Sequence, residues 1–217
     1  MKMMPELKDD LLAQLKFECG RAADDVQIVA EDGSVTLSGT VPNYAEKVAA
    51  VRAVQRVGGV KAVLDEIVVK LPEHQKCTDA EIENAAYNAI SWITTVPAEL
   101  LQITARNGVL TLEGTVRTWS QRNVVEDVVR HIAGVVGIDN LIKIKPQSLS
   151  SDVKAAIESA FERHALLDAG NIEVEVAGGK VILRGKTSNF AERGEAEHAA
   201  WSARGVTDVE NRIVITV

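Results

Sequence analysis

The sequence predicts an α+β protein made of one small unit written three times in tandem. Two observations carry that prediction. The stretch Asp32-Gly33-Ser34-Val35-Thr36-Leu37-Ser38-Gly39-Thr40-Val41 returns as Asn107-Gly108-Val109-Leu110-Thr111-Leu112-Glu113-Gly114-Thr115-Val116, and again as Gly178-Gly179-Lys180-Val181-Ile182-Leu183-Arg184-Gly185-Lys186-Thr187. Its closing glycines Gly39, Gly114 and Gly185 are spaced by 75 and 71 residues. The second observation is that the residues on either side of the stretch repeat the same apolar periods and the same helix-start signals in every copy. The units are bounded at 1–71, 72–146 and 147–217. Each reads αββαβ, with two amphipathic helices on one face of a three-stranded sheet.

The first helix of each unit is written in the apolar series Leu7, Leu11, Leu15; Ile82, Ala86, Ile90; and Val153, Ile157, Phe161. Spacing by four keeps such residues on one stripe of a helix. Thr78 and Glu81 form a capping box at the start of the second of these helices. A first strand follows, with Val26, Ile28 and Ala30 inward, matched by Leu101, Ile103, Ala105 and by Ile172, Val174, Val176. Asp-Gly, Asn-Gly and Gly-Gly then supply the positive φ angles of type I′ hairpin turns. In the strand after the turn, Val35, Leu37, Gly39 and Val41 share one side, since side chains alternate. A glycine on an apolar face lets another backbone come close, here a covering helix, or marks a bulge. Three recurrences tie these glycines to packing, so Gly178-Gly179-Lys180 reads as a turn and not as a phosphate cradle.

The second helix begins at Asn43, Thr118 or Asn189, each three residues before Glu46, Gln121 or Glu192, which is the capping-box spacing. Its apolar stripe is Ala50, Ala53, Val54, Val57, repeated as Val125, Val128, Val129, Ile132 and as Ala196, Ala199, Ala200, Ala203. Gly59, Gly134 and Gly205, each followed by Val, mark its end. The last strand carries Val63, Ile67, Val69, then Ile138, Ile142, Ile144, then Val209, Ile213, Ile215. Linkers fall at Leu71–Cys77 and Lys145–Ser150, where Pro72 and Pro146 suit exposed joints. Units of about 70 residues bury little more than half of their unfolded surface, so the three are expected to pack on one another or on a second copy of the chain.

Composition excludes more than it assigns. The net charge of −7 is spread as −2 over residues 1–72, −2 over 73–146 and −3 over 147–217, with no Lys/Arg cluster of the kind that neutralises nucleic-acid phosphates. The start runs directly into a charged helix without the apolar segment of a secretion signal, and no apolar run approaches the length of a membrane span. As written the chain reads as cytoplasmic; had a leader preceded residue 1, the expectation would be periplasmic. Cys19 and Cys77 lie in different units without metal or redox spacing, and His74, His131, His164 and His198 form no ligand motif. The run Glu192, Glu195, Glu197 is expected on the solvated side of its helix. No nucleophile motif is present, so no catalytic residue, metal or cofactor is expected.

Val-x-Leu-x-Gly, an aromatic at a helix start, Gly-Val, and a strand containing Asn-x-Ile together resemble the BON domain, a family named for bacterial osmotically inducible and nodulation proteins. The match runs through nearly the whole chain, and unit two is the fullest, with Asn107–Val116, Trp119, Gln121-Arg122, Gly134-Val135 and Asn140-Leu141-Ile142. Unit one has Asp65 where the others have Asn140 and Asn211, and unit three has Thr187 where the others have Val41 and Val116. The resemblance implies that Gly39, Gly59, Gly114, Gly134, Gly185 and Gly205 are structural motif glycines. It also implies a non-enzymatic binding module of envelope or osmotic stress, taking a phospholipid surface or, for some members, a partner protein.

The residues themselves nominate contacts. Tyr44, Trp119 and Phe190 open the second helices, and Lys47, Arg122 and Arg193 follow three residues later. A ring with a cation one turn on suits an anionic headgroup boundary; the bland alternative packs the ring over the strand–helix corner and leaves the cation solvated. Trp201 aligns with Gln55 and Arg130 on the outer face of helix two, and Trp92 aligns with Phe17 and Arg163 off the stripe of helix one. Both rings are expected to make domain, subunit or membrane contacts. Asp65, Asn140 and Asn211 share the inward parity of the last strand, where local backbone bonds to the loop before it would satisfy them. The expected function is association with anionic phospholipid surfaces, amplified by repetition; the alternative is a protein–protein or self-assembling scaffold.

Overall fold

The computed structural model describes residues 4–145, 153–163 and 169–216. His164 and most of the second linker lie outside the described residues. Unit one comprises α1 (Met4–Cys19), β1 (Val26–Glu31), β2 (Ser34–Val41), α2 (Tyr44–Gln55) and β3 (Ala62–Val69). Unit two comprises α3 (Asp79–Ser91), β4 (Leu101–Arg106), β5 (Val109–Val116), α4 (Trp119–Val129) and a last strand in two pieces, β6 (Gly137–Asn140) and β7 (Lys143–Ile144). Unit three comprises α5 (Val153–Arg163), β8 (Ile172–Ala177), β9 (Lys180–Thr187), α6 (Phe190–Ser202) and β10 (Asp208–Ile215). The fold is α+β in three repeated units, each with two helices and one sheet.

In every sheet the strand after the hairpin is central. It pairs antiparallel with the strand before it and parallel with the last strand, which returns through helix two. The parallel crossover covers one sheet face with helix two, and helix one packs beside it. The apolar stripes of both helices and the inner strand residues then close one core per unit. Leu7, Leu11, Leu15, Ile82, Ala86, Ile90, Val153, Ile157 and Phe161 are all buried, as the spacing by four requires.

The helix starts follow the sequence. Thr78 and Thr118 make full capping boxes with Glu81 and Gln121. The Asn43 and Asn189 side chains accept from the backbone N–H of Glu46 and Glu192. In the hairpins, Asp32 and Gly33 have φ of 50° and 86°, and Asn107 and Gly108 have 51° and 78°. The third turn carries positive φ at Gly178 alone, 60°, the pattern of a type II′ turn rather than the expected I′. Helix two stops a few residues before its glycine, and Gly59, Gly134 and Gly205 lie in the turn that leads to the last strand.

The central-strand glycines do admit a close backbone, but it is not a covering helix. Each first strand is preceded by a short 3-10 turn that the periodicity did not disclose: Gly20–Asp25, Ala98–Leu100 and Ala169–Asn171. The carbonyl oxygens that close these turns lie against the glycines. A Cβ at Gly39 would stand 2.1 Å from the Asp25 oxygen, one at Gly114 2.3 Å from Leu100, and one at Gly185 2.0 Å from Asn171. With φ of 122°, 133° and 139°, these positions exclude any side chain both by space and by backbone conformation.

Candidate functional site

The cations expected near a headgroup turn back onto their own sheets. Lys47 Nζ donates to the carbonyl of Ile67 at 2.6 Å and pairs with Asp65 at 3.3 Å. Arg122 donates to the carbonyl of Asn140 at 2.9 Å, and Arg193 reaches that of Asn211 at 3.5 Å. All three are half-buried. The polar residue of the last strand does not bond the preceding loop. Asp65, Asn140 and Asn211 instead accept through Oδ1 from the backbone N–H two residues on, that of Ile67, Ile142 and Ile213.

The free half of each amide is met from helix two: Asn140 Nδ2 donates to Glu126 at 3.0 Å, and Asn211 Nδ2 to Glu197 at 2.9 Å. In unit one Val51 occupies the position of those glutamates. The exchange is chemically consistent. An amide needs an acceptor and receives a carboxylate, whereas Asp65 offers a second acceptor oxygen and receives Lys47. The run Glu192, Glu195, Glu197 is therefore not simply a solvated face, because Glu192 binds Ser188 and Asn189 and Glu197 binds Asn211. The signal was present as covariation between the units at 47/51/65, 122/126/140 and 193/197/211.

The aromatics at the helix starts form a cycle between units: Tyr44 and Phe190 pack on a neighbour's core, and Trp119 packs on its own core while reaching the next unit. Tyr44 of unit one packs on the core of unit two. Burial there raises its phenol pKa, Glu126 adds to the rise, and Arg130 opposes it. Trp119 of unit two meets unit three: its ring stacks on Trp201 with centroids 6.1 Å apart and planes 11° from parallel, and stands edge-on to His198 at 5.1 Å. Phe190 of unit three packs on the core of unit one. The position eleven residues after the aromatic in each helix lies near a neighbour's ring: Trp201 stacks on Trp119, Arg130 is close enough to Tyr44 to act on its phenol, and Gln55 lines the same cleft as Phe190.

Two of these receivers are not on an outer face, as the sequence register had them. Arg130 is 7% exposed and pairs with Asp127 at 2.6 Å and Glu126 at 3.5 Å. Trp201 is half-buried against both the second and third cores. Arg52 adds a 3.9 Å pair to Asp127 across the first seam. Trp92 is different again. It caps α3, and both it and its counterpart Phe17 in α1 are 86% exposed.

Among the described residues no group of three or more His, Cys, Asp or Glu is placed to hold a metal, and no helix is long and apolar enough to cross a membrane. Both cysteines are free thiols; burial raises the pKa of Cys19, with Glu18 and Glu46 adding to the rise.

Fold and contacts together define a class: a tandem array of small α+β modules whose last-strand polar clusters bond their own sheets. The BON domain model matches residues 5–70, 78–146 and 150–217, and the chain belongs to the BON domain family. The family and the curated relative it resembles point to no enzyme class. That relative is osmotically-inducible protein Y of Escherichia coli, 26% identical over 125 residues, which cover 56% of this chain and 62% of the relative. The match thus spans less than two thirds of the relative's length. Among solved structures, the C-terminal domain of CdsD, a structural protein of the type III secretion system of Chlamydia trachomatis, aligns over 100% of both chains at 16% identity with a TM-score of 0.27. The periplasmic domain of PrgH from S. typhimurium aligns over 93% of this chain and 100% of its own at 12% identity, with a TM-score of 0.22. Overlap this low defines neither a shared arrangement nor a shared partner.

Proposed function

We propose that the chain is a non-catalytic binding protein of osmotic or envelope stress that associates with anionic phospholipid surfaces through the ends of its first helices. The observation that carries the reading is the pair Phe17 and Trp92, two rings at equivalent positions, each 86% exposed. Large rings left in water at repeated positions are the informative exception on a protein surface; the membrane interface stabilises an amphipathic indole such as Trp92, and the apolar ring of Phe17 gains by burial beside it. Lys16 and Arg21 flank the first ring, and Arg163 takes the third equivalent position, so the series offers rings and cations together. Of the contact residues nominated from sequence, Trp92 is carried forward. Tyr44, Trp119, Phe190 and Trp201 are engaged between units, and Lys47, Arg122 and Arg193 are engaged on last-strand carbonyls.

Co-sedimentation with anionic and with neutral vesicles at two salt concentrations tests the reading. Salt-sensitive binding to anionic vesicles alone, weakened in Phe17→Ala/Trp92→Ala, is expected; binding unchanged by that pair of substitutions refutes it. A second reading, a protein scaffold, is favoured by the uncovered face of the first sheet, where Val29, Leu64 and Val68 are each more than half exposed. A defined oligomer together with no vesicle binding would establish that reading instead.

A further inference from the structure

We infer that the cleft where the cycle closes, at the junction of all three units, is a binding site for a small planar organic anion. The cleft measures about 850 Å³ and draws its walls from α2, the start of α4 and α6. Trp119 and Phe190 contribute ring surface, and His198 adds a third ring beside Trp119. Flat apolar walls select a flat apolar body.

Three guanidiniums line the cleft, Arg52 and Arg56 from α2 and Arg193 from α6, and Arg193 is engaged on the Asn211 carbonyl. Arg56 is already paired with Glu18 at 2.8 Å, but Arg52 reaches only Asp127, at 3.9 Å, and is 54% exposed. A guanidinium held that loosely can turn to a carboxylate on a ligand with a paired, planar fit. Of the acidic groups in the same wall, Glu197 is turned to Asn211. Glu195 disfavours a polyanion, so the cleft suits a body with a single negative charge.

A second, independent observation concerns the exposed side of the α6 wall. Gly194 lies inside α6, where glycine weakens a helix relative to almost any other residue. Packing does not require it there: a Cβ at Gly194 would meet nothing within 4 Å, and the equivalent residues of α2 and α4 are Val48 and Asn123. The helix forgoes stability at a position on the cleft lining, between Arg193 and Glu195. Such a conflict between local preference and sequence marks functional positions.

Calorimetric titration of the full chain with 2-naphthoate, 2-naphthamide and inorganic phosphate tests the assignment. One molecule of naphthoate is expected to bind saturably and about tenfold or more tighter than the amide. Arg52→Gln should remove that preference while leaving the fold intact. Gly194→Gln, which restores a good helix former, should raise Tm by about 2–4 °C and yet abolish binding. Three results would overturn the site: no saturable heat at millimolar naphthoate, equal binding by wild type and Gly194→Gln, or phosphate binding as tightly as naphthoate.

Discussion

Replacing Asn211 by Asp changes one atom group and sets two carboxylates against each other. In the native protein Asn211 Nδ2 donates to Glu197 Oε2 at 2.9 Å. In Asn211→Asp the donor becomes an acceptor, and two negative oxygens face one another at about that separation. Coulomb's law gives a repulsion of about 6 kcal/mol at an effective dielectric of about 20, and about 1.4 kcal/mol in bulk water. Both groups are half-buried and Arg193 lies close to the new carboxylate, so the net loss falls between those limits, at about 2 kcal/mol. For a chain of this length that is a fall in Tm of about 4–8 °C at neutral pH. The sign with pH follows: the repulsion depresses the charged form in the folded state, so acidification through the carboxylate range protonates one oxygen and recovers most of the loss. Unit one supplies the rescue, because it carries Asp65 with Val51 in place of a glutamate. Glu197→Val should therefore be harmful alone, by leaving the Asn211 amide only its 3.4 Å bond to the Arg193 carbonyl, and beneficial when combined with Asn211→Asp. Thermal unfolding of the four proteins of this double-mutant cycle at two pH values measures the coupling. A neutral Asn211→Asp, or a Glu197→Val that worsens it, would refute the account.

Three further outcomes are expected. Gly39→Ala places a methyl 2.1 Å from the Asp25 carbonyl oxygen at a φ of 122°, and should cost unit one at least about 3 kcal/mol, read as an early partial transition in denaturant unfolding. Trp201→Ala should abolish the exciton-coupled circular dichroism of the stacked indoles and cost about 2 kcal/mol, with unit three melting apart from unit two. Glu81 is held below the ordinary glutamate range by hydrogen bonds from the Thr78 N–H and hydroxyl. Its folded-state pKa is depressed, so its contribution is present above the unfolded value and lost as pH falls through the folded one; an NMR titration should show Thr78→Ala, which removes the hydroxyl and keeps the backbone N–H, recovering only part of the depression.

What could be read in the sequence was what each unit does for itself. Caps at Asn43, Thr118 and Asn189, hairpin turns and stripes at fixed periods are local devices, and local devices leave local signatures. What could not be read was what one unit does for another. Gln55, Arg130 and Trp201 occupy equivalent positions near a neighbour's ring, yet they share no chemistry, because the rings differ: Phe190 across a cleft, Tyr44, and Trp119 in a stack. A position that keeps a role but not a residue type looks variable in any internal comparison. The last-strand polar cluster lies between these cases. Lys47/Val51/Asp65 against Arg122/Glu126/Asn140 is a compensated exchange visible in the letters, but its meaning depends on helix two crossing directly over the last strand, which periodicity alone does not fix.

The cycle of rings also bears on where function can lie. Every seam is heterologous, the start of one second helix on the body of the next, so three units use three plugs and three sockets and none is left over. The second helices, which a single isolated unit would present to solvent, are here turned inward along with their aromatics and cations. On the first helices and the uncovered sheet faces, Phe17, Trp92, Val29, Leu64 and Val68 remain in water. The seams are also unequal. Unit two is joined to unit three by two stacked indoles, whereas the closing seam sets Phe190 beside Gln55 and leaves a cleft. Weak closure at the one seam bridged by no linker means that a ligand bound there would tie unit three to unit one, and would be felt as order in the whole array rather than in one unit.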